Sequence, residues 1–269
     1  EFFETTLSTR KFFQTVVDKV LNPYLSELMP TNSVLPRQIV ADAQLDGGSV
    51  STGIQTQQGS IFNLVRTFCD VGAWNELYIE DRDDGVYCVL RPNPYFHLTT
   101  GELIQPNDRL PVFVEVDSVD LVSIAVSRSD ADVANFYWVD GARFQLIDGQ
   151  MQRLNTLSEA NDPSVVLADY GNSKSSLYGI RLMRVETMQG DPEMSTHNTG
   201  AKEKGTAEIE RQVALWTDRR RADLVAQNRD NVLLERGTIR LRGNEALKAG
   251  RYLWLRRGST DATYYITAV

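Results

Sequence analysis

At 269 residues, with 36 Asp and Glu against 28 Lys and Arg and a formal charge of -8, the chain is acidic and long enough to bury a sizeable core. That charge argues against phosphate-backbone binding as the main task, and no apolar run approaches the length of a membrane span. A hydrophobic share of 42% and a charged share of 24% belong to a folded globular protein rather than a disordered one.

The sequence starts at Glu1 with no signal-like tandem of charged and apolar residues, and reads as an internal stretch of a longer protein. From Ser8 to Met29, the residues Phe12, Phe13, Val16, Val17, Val20, Leu21, Leu25 and Leu28 recur at three- and four-residue spacing, which predicts a helix with one buried face. Pro23 is expected to kink or divide it. The stretch DGGSVSTGIQTQQGS reads as loop around a short strand. Ser60 then caps a second helix, IFNLVRTFCDVG, ended by Gly72. In WNELYIEDRDDGVYCVLRPNP two alternating strands flank Asp84-Gly85, a dipeptide suited to a tight hairpin turn.

The residues from Leu110 to Ile147 are β-rich throughout, dense in Val, Ile, Phe, Tyr and Trp. Between Asp148 and Ala207 the pattern weakens, and MQGDPEMSTHNTGAKEKGT has the composition of an exposed, mobile loop. A third helix follows Thr206, with Ile209, Val213, Trp216 and Leu224 as its apolar stripe and Glu210, Arg211, Asp218, Arg219 and Asp223 on a solvated face. Strands are predicted at Val232 to Leu234, Thr238 to Leu241, Tyr252 to Leu255 and Tyr264 to Ala268, the last of them running out in mid-strand. No internal repeat is present.

The chemistry-bearing residues do not assemble into a site on spacing alone. His97 and His197 lack the spacing and the Cys, Asp or Glu company of a metal site. Cys69 and Cys88 read as buried free thiols, which points weakly to a reducing compartment. Glu80, Asp81, Asp83 and Asp84 offer the carboxylates that glycoside hydrolysis needs, but they crowd a hairpin tip where nothing excludes water. Phe136, Tyr137 and Trp138 alternate across a strand, so they suit core or interface packing rather than one stacking platform. The run Arg219, Arg220, Arg221 reads as the wet side of a helix, or as a contact for a partner's acidic surface. No catalytic, cofactor-binding or metal-binding residue is assigned, and no enzymatic activity is expected.

Four stretches, taken in order, resemble the central baseplate hub proteins of tailed phages, the late-control D protein family. GTIRLRGNEALKAGRYLWL resembles that family's barrel segment, with Gly243, Asn244, Leu247 and Gly250 in the places of its N-x-x-L-x-x-G connection, and YYITAV resembles the strand that follows. SRSDADVANFYWVDG (Ser127 to Gly141) resembles its strand pair with a Val-x-Asn signature, and SSLYGIRLMRVETM (Ser175 to Met188) its Ser-x-x-Tyr-Gly-x-Arg segment. The run QGSIFNLVRTFCDVGAWNELYIEDRDDGVYCVLRP resembles its helix-then-hairpin unit.

The resemblance implies an α+β, β-rich fold: a small tudor-like β-barrel, split in sequence, plus a mixed α/β domain containing the helix-hairpin unit. Residues 1–110 would form the α/β domain, 111–147 the first part of the barrel, 148–231 a helical and loop insert, and 232–269 the second part. The family's first barrel has no counterpart ahead of the helix at Ser8, and is expected either before Glu1 or in an unusual place. The implied function is structural: a homotrimeric ring that joins tail tube or distal tail protein to the central spike or tip protein, with the tape measure protein a further neighbour. Viral DNA would pass through the lumen without specific binding. The place would be the virion, reached by assembly in host cytoplasm. The alternatives are the hub of a contractile injection system, pyocin-like or type VI secretion, and a tail-borne cell-wall glycosidase or amidase. A charged residue in place of Trp138 or Tyr252 is expected to cost assembly if the position lies at a subunit contact, and folding if it lies in the core.

Overall fold

The computed structural model describes residues 6–31, 38–45, 48–51, 59–96, 103–104, 113–140, 171–190, 206–257 and 260–269. It is a mixed α/β, strand-rich structure in which, among the described residues, the strands form six small sheets and no closed barrel. His97 and His197, most of the stretch expected to be a mobile loop, and residues 141–170 lie outside the described residues. Among the described residues no helix is long and apolar enough to cross a membrane.

The N-terminal part packs on one apolar cluster. Strand β1 (Thr6–Ser8) leads into α1 (Thr9–Val16), capped by the Ser8 hydroxyl, which accepts from the Lys11 N–H at 3.3 Å. Phe12, Phe13, Val16 and Val17 are at most 1% exposed, the face that the apolar spacing predicts. The expected division of the helix is present, but it lies before Pro23: Val17–Leu21 is a π-turn in which the Asn22 N–H bonds the Val17 carbonyl. Pro23 sits in the first turn of α2 (Asn22–Leu28), where its missing N–H costs nothing. The widened turn aims Asn22 sideways, so that its carboxamide donates to the Ile39 carbonyl at 2.9 Å and accepts from the Ile39 N–H at 2.8 Å.

Against these helices lie α3 (Ile61–Phe68), capped by Ser60, and the sheet of β2 (Val40–Ala43), β4 (Asn75–Arg82) and β5 (Gly85–Pro92), in the order β2-β5-β4. Phe12 and Phe68 meet with ring centres 5.6 Å apart and planes tilted by 56°. The hairpin turns on Asp83 and Asp84, one residue earlier than expected: Arg82 pairs with Gly85, whose φ of +148° lies in the region that favours glycine. A short strand β3 (Ser49–Ser51) pairs with β1, while Tyr95–Phe96 (β6) pairs with Leu103–Ile104 (β7).

Strands β8 (Phe113–Asp117) and β9 (Leu121–Arg128), joined by a 3-10 turn, do not pair with each other. Each is completed from the other end of the chain. β14 (Tyr252–Arg257) runs parallel to β8 and antiparallel to β15 (Thr260–Tyr265), and β13 (Glu235–Leu241) runs antiparallel to β9. Val114, Val116, Leu253 and Leu255 form the shared core, with Leu121, Ile124, Ile239 and Leu241 packed on it from the second sheet.

Two expectations fail here. Val232–Leu234 lies in a 3-10 turn and the residues just after it rather than a strand. The last strand has its end inside the chain: it starts at Thr260, and the ladder closes at Ile266, whose N–H bonds the Arg251 carbonyl at 2.9 Å. The register pairs Tyr252 with Tyr265, which leaves Thr267 to Val269 beyond the ladder.

β10 (Phe136–Asp140) leaves the split unit to which 111–147 was assigned. It pairs in parallel with β11 (Leu182–Glu186). Both pack on a long helix through Tyr137, Val139, Leu224, Val225, Met183 and Val185. The described part between them holds the short helix α4 (Ser175–Tyr178), and the long helix is α5 (Thr206–Asn228). After β11 the chain makes β12 (Gln189–Gly190), both residues buried and paired with β3, so the start of the expected loop is a strand.

Candidate functional site

The turn after α3 departs from ordinary backbone geometry: Asp70 holds φ +51°, the only described non-glycine residue with positive φ. The left-handed residue folds the chain back so that Trp74 and Asn75 both direct their N–H groups to the Asp70 carbonyl. Its carboxylate then points into the protein, 1% exposed, and accepts from the Met188 N–H at 3.0 Å and from the Thr187 hydroxyl. From α5 comes Arg220, 3.0 Å from Asp70 Oδ2 and 2.9 Å from Gln189 Oε1. Its guanidinium lies 4.7 Å from the Trp74 ring centre and 5.0 Å from that of Trp216, and its carbonyl accepts from Trp74 Nε1 at 2.9 Å.

Three segments far apart in sequence therefore converge on one charge pair. Burial pushes the Asp70 carboxyl up despite Arg220, and burial lowers the Arg220 guanidinium despite Asp70. The two directions agree, since desolvation opposes charge on both partners. Arg220 Nε, Gln189 Nε2, Trp216 Nε1 and Thr9 Oγ1 are buried without a hydrogen-bond partner among the described residues. Gly48, at φ +80°, closes the node: a Cβ there would stand 2.4 Å from Gln189 Oε1 and 3.0 Å from Thr9 Oγ1.

A second polar node joins the β4/β5 hairpin to the C-terminal sheet. Arg91 bonds Glu76 through Nε, and through Nη2 the Gly250 carbonyl at 2.6 Å and the Tyr265 hydroxyl at 3.0 Å. The Tyr265 hydroxyl donates in turn to Glu76. Tyr78 packs so close to Gly250 that a Cβ there would meet its ring at 2.7 Å, and Gly250 has φ +82°. Burial pushes the Tyr78 hydroxyl up to about 12.

Between α5, β11 and the C-terminal sheet lies a cleft of about 650 Å³. Met183, Val185, Leu224 and Leu234 give it apolar walls, and Asn93, Gln227 and Asn231 a carboxamide rim. Asn93 Nδ2 is already bonded to Gln227 at 3.3 Å and to the Ala73 carbonyl at 3.2 Å. Its charges are also matched, Asp230 with Arg229 at 3.1 Å and Arg236 with Asp132. Among the described residues the lining includes no His, Cys or Lys.

Of the residues singled out by sequence, the hairpin carboxylates do not converge. Glu80 pairs with Arg82 at 2.7 Å and with Arg251 at 3.5 Å, Asp84 accepts from the Tyr87 hydroxyl at 2.7 Å, and Asp81 and Asp83 are exposed. None of the four lines the cleft. Cys69 and Cys88 are free and buried; burial pushes the Cys88 thiol up to about 11 and that of Cys69 well above its ordinary value. Tyr137 is core, with Phe136 and Trp138 on the opposite face of the strand. Tyr252 is 2% exposed and stacks on Phe113 at 5.1 Å within the same chain.

The basic run is the larger correction: Arg219 is on the wet side, but Arg221 is buried and the Arg220 side chain is turned inward, 11% exposed. The sequence carried a signal for this, because Trp216, Arg220 and Leu224 stand four residues apart and share a helix face. Asp70 left no comparable trace. Two of the stretches quoted for the resemblance touch each other, Asn135 donating to the Gly179 carbonyl at 2.7 Å and accepting from the Arg181 N–H at 2.9 Å. Among the described residues no group of three or more His, Cys, Asp or Glu is placed to hold a metal ion. No protein-family model, no curated protein and no solved structure matches this chain.

Proposed function

We propose that this chain is a structural hub protein of a phage tail or baseplate, acting by shape and assembly rather than by catalysis. The observation that carries the reading is the split unit. β8 and β9 find their partners β14 and β13 across a long helical insert and share one apolar core, the arrangement that the family resemblance calls for. In this reading β8, β9, β13, β14 and β15 are the tudor-like barrel of the hub, and the α1–β5 region is its mixed α/β domain. Three copies form a ring between tail tube and central spike, and the acidic surface keeps the passing polyanion unbound.

The contact between Asn135 and the Gly179–Arg181 stretch also supports it, because the resemblance named both segments separately. The polar nodes fit a protein whose parts must transmit load without sliding. The test is the mass of the native complex by light scattering together with the symmetry of its electron-microscopic image. Three copies with threefold symmetry are expected. A full-length chain that stays monomeric in the particle, or a ring of six copies, overturns the reading.

A further inference from the structure

The split unit turns two faces outward, and they carry opposite charge. In the β9/β13 ribbon, Ile124 and Ile239 point to the core, so the register places Ser123 beside Arg240, Ala125 beside Thr238 and Ser127 beside Arg236 on the outer side. All six are exposed, as is Arg242 just beyond the strand. The outward positions of these two strands hold no carboxylate; Arg236 reaches Asp132 in the turn after β9, and neither Arg240 nor Arg242 has a side-chain partner among the described residues. In the other sheet Val114 and Val116 face the core, which sends Glu115 and Asp117 outward, with Asp261 on the same side of β15. Of these three exposed carboxylates Glu115 has Arg256 at 3.1 Å, while Asp117 accepts from the Ser118 hydroxyl at 3.1 Å and Asp261 from Trp254 Nε1.

We propose that the chain binds a second copy of itself head to tail, the arginine-bearing ribbon of one copy against the Glu115 and Asp117 face of the next. Alternate strand residues lie about 6.7 Å apart, so side chains two positions along on one strand match carboxylates two positions along on another. Serine and alanine between the arginines let a strand face approach closely. Two copies that each carry -8 repel in most orientations, and a local match of opposite faces selects this one. An interface that uses two different patches leaves one of each open on every dimer, so the arrangement closes into a ring or runs on as a filament. The inference deepens the hub reading and rests on it only for the number of copies that closes the ring.

The experiment measures mass by sedimentation of the full chain at 50 and 500 mM salt, with folding followed by circular dichroism. The wild type is expected to associate, and more weakly at high salt. Arg240→Glu with Arg242→Glu should weaken association by about tenfold or more, as reversing exposed pairs does. Glu115→Arg with Asp117→Arg should do the same, and all four substitutions in one chain should restore association with the polarity reversed. A wild type that stays monomeric, or a fourfold variant no better than the twofold ones, overturns the proposal. So does tight binding of a duplex DNA probe that depends on Arg240 while the protein itself stays monomeric, which would assign the ribbon to a polyanion. A threefold ring that persists in the Arg240→Glu, Arg242→Glu variant overturns this interface and leaves the hub reading standing. A ring of another copy number that needs these arginines does the reverse.

Discussion

The Asp70–Arg220 and Glu76–Arg91 pairs both tie distant parts of the chain together, in contrasting surroundings. Asp70 is 1% exposed and its partner 11%, with unbonded donors close by, whereas Arg91 and Glu76 are 12% and 18% exposed and Arg91 also bonds a backbone carbonyl and a tyrosine hydroxyl. A buried pair loses to desolvation much of what its attraction gains, and is worth most when every remaining donor is bonded. The first node thus fixes geometry at little net gain, while the second also adds stability.

The largest effect is expected from Arg220→Met, which leaves Asp70 buried without a cation. It should cost about 3–5 kcal/mol in urea unfolding, the range for removing one partner of a buried pair. Adding Asp70→Asn should recover most of that loss, since Asn tolerates the left-handed backbone at this position. A double variant as unstable as the single one would show that the Asp70–Arg220 pair is itself strongly stabilising. At the second node Glu76→Gln should cost less, about 1–3 kcal/mol, because the lost charge is partly solvated and hydrogen bonds remain.

Titration sharpens the same contrast. The Asp70 carboxyl is raised in the folded state, so between its ordinary value of 3.8 and its folded value the native chain holds a proton that the unfolded chain has lost. Stability contributed by that proton is fully present below 3.8 and is lost as pH rises through the folded value. Wild type minus Asp70→Asn, followed by denaturant unfolding from pH 3.5 upward, should decline with pH across that window and then level off. A difference that grows with pH would mean that Arg220 outweighs burial. The smallest effect belongs to the hairpin tip, where Asp83→Asn should stay within about 0.5 kcal/mol.

Local structure was legible because local rules decide it. Ser60 caps its helix through the hydroxyl, and the stripe from Phe12 to Val17 is the face that goes inward. What escaped depends on partners that sequence distance hides. Three consecutive arginines read as solvent-facing, yet successive helix positions differ by about 100°, and Arg220 and Arg221 both turn inward. The Phe136–Asp140 strand matched the β-rich run before it, and only its pairing with β11 moves it out of the split unit. Asp70 gave no local signal, because positive φ at a single Asp is set by the Trp74 and Asn75 bonds that need it.

The partnering of β8 with β14 bears on how the chain reaches its fold on the ribosome. At about 5–20 residues per second the α1–β5 region is complete long before the C-terminal strands emerge. Until then β8 and β9 lack the partners of their edges and the other half of their core, so Val114 and Val116 have only each other's neighbours to pack on. Closing so long a loop is slow because its entropy is lost before any contact forms. Translation pausing or truncation before β13 should therefore leave β8 and β9 with open strand edges and a tendency to aggregate.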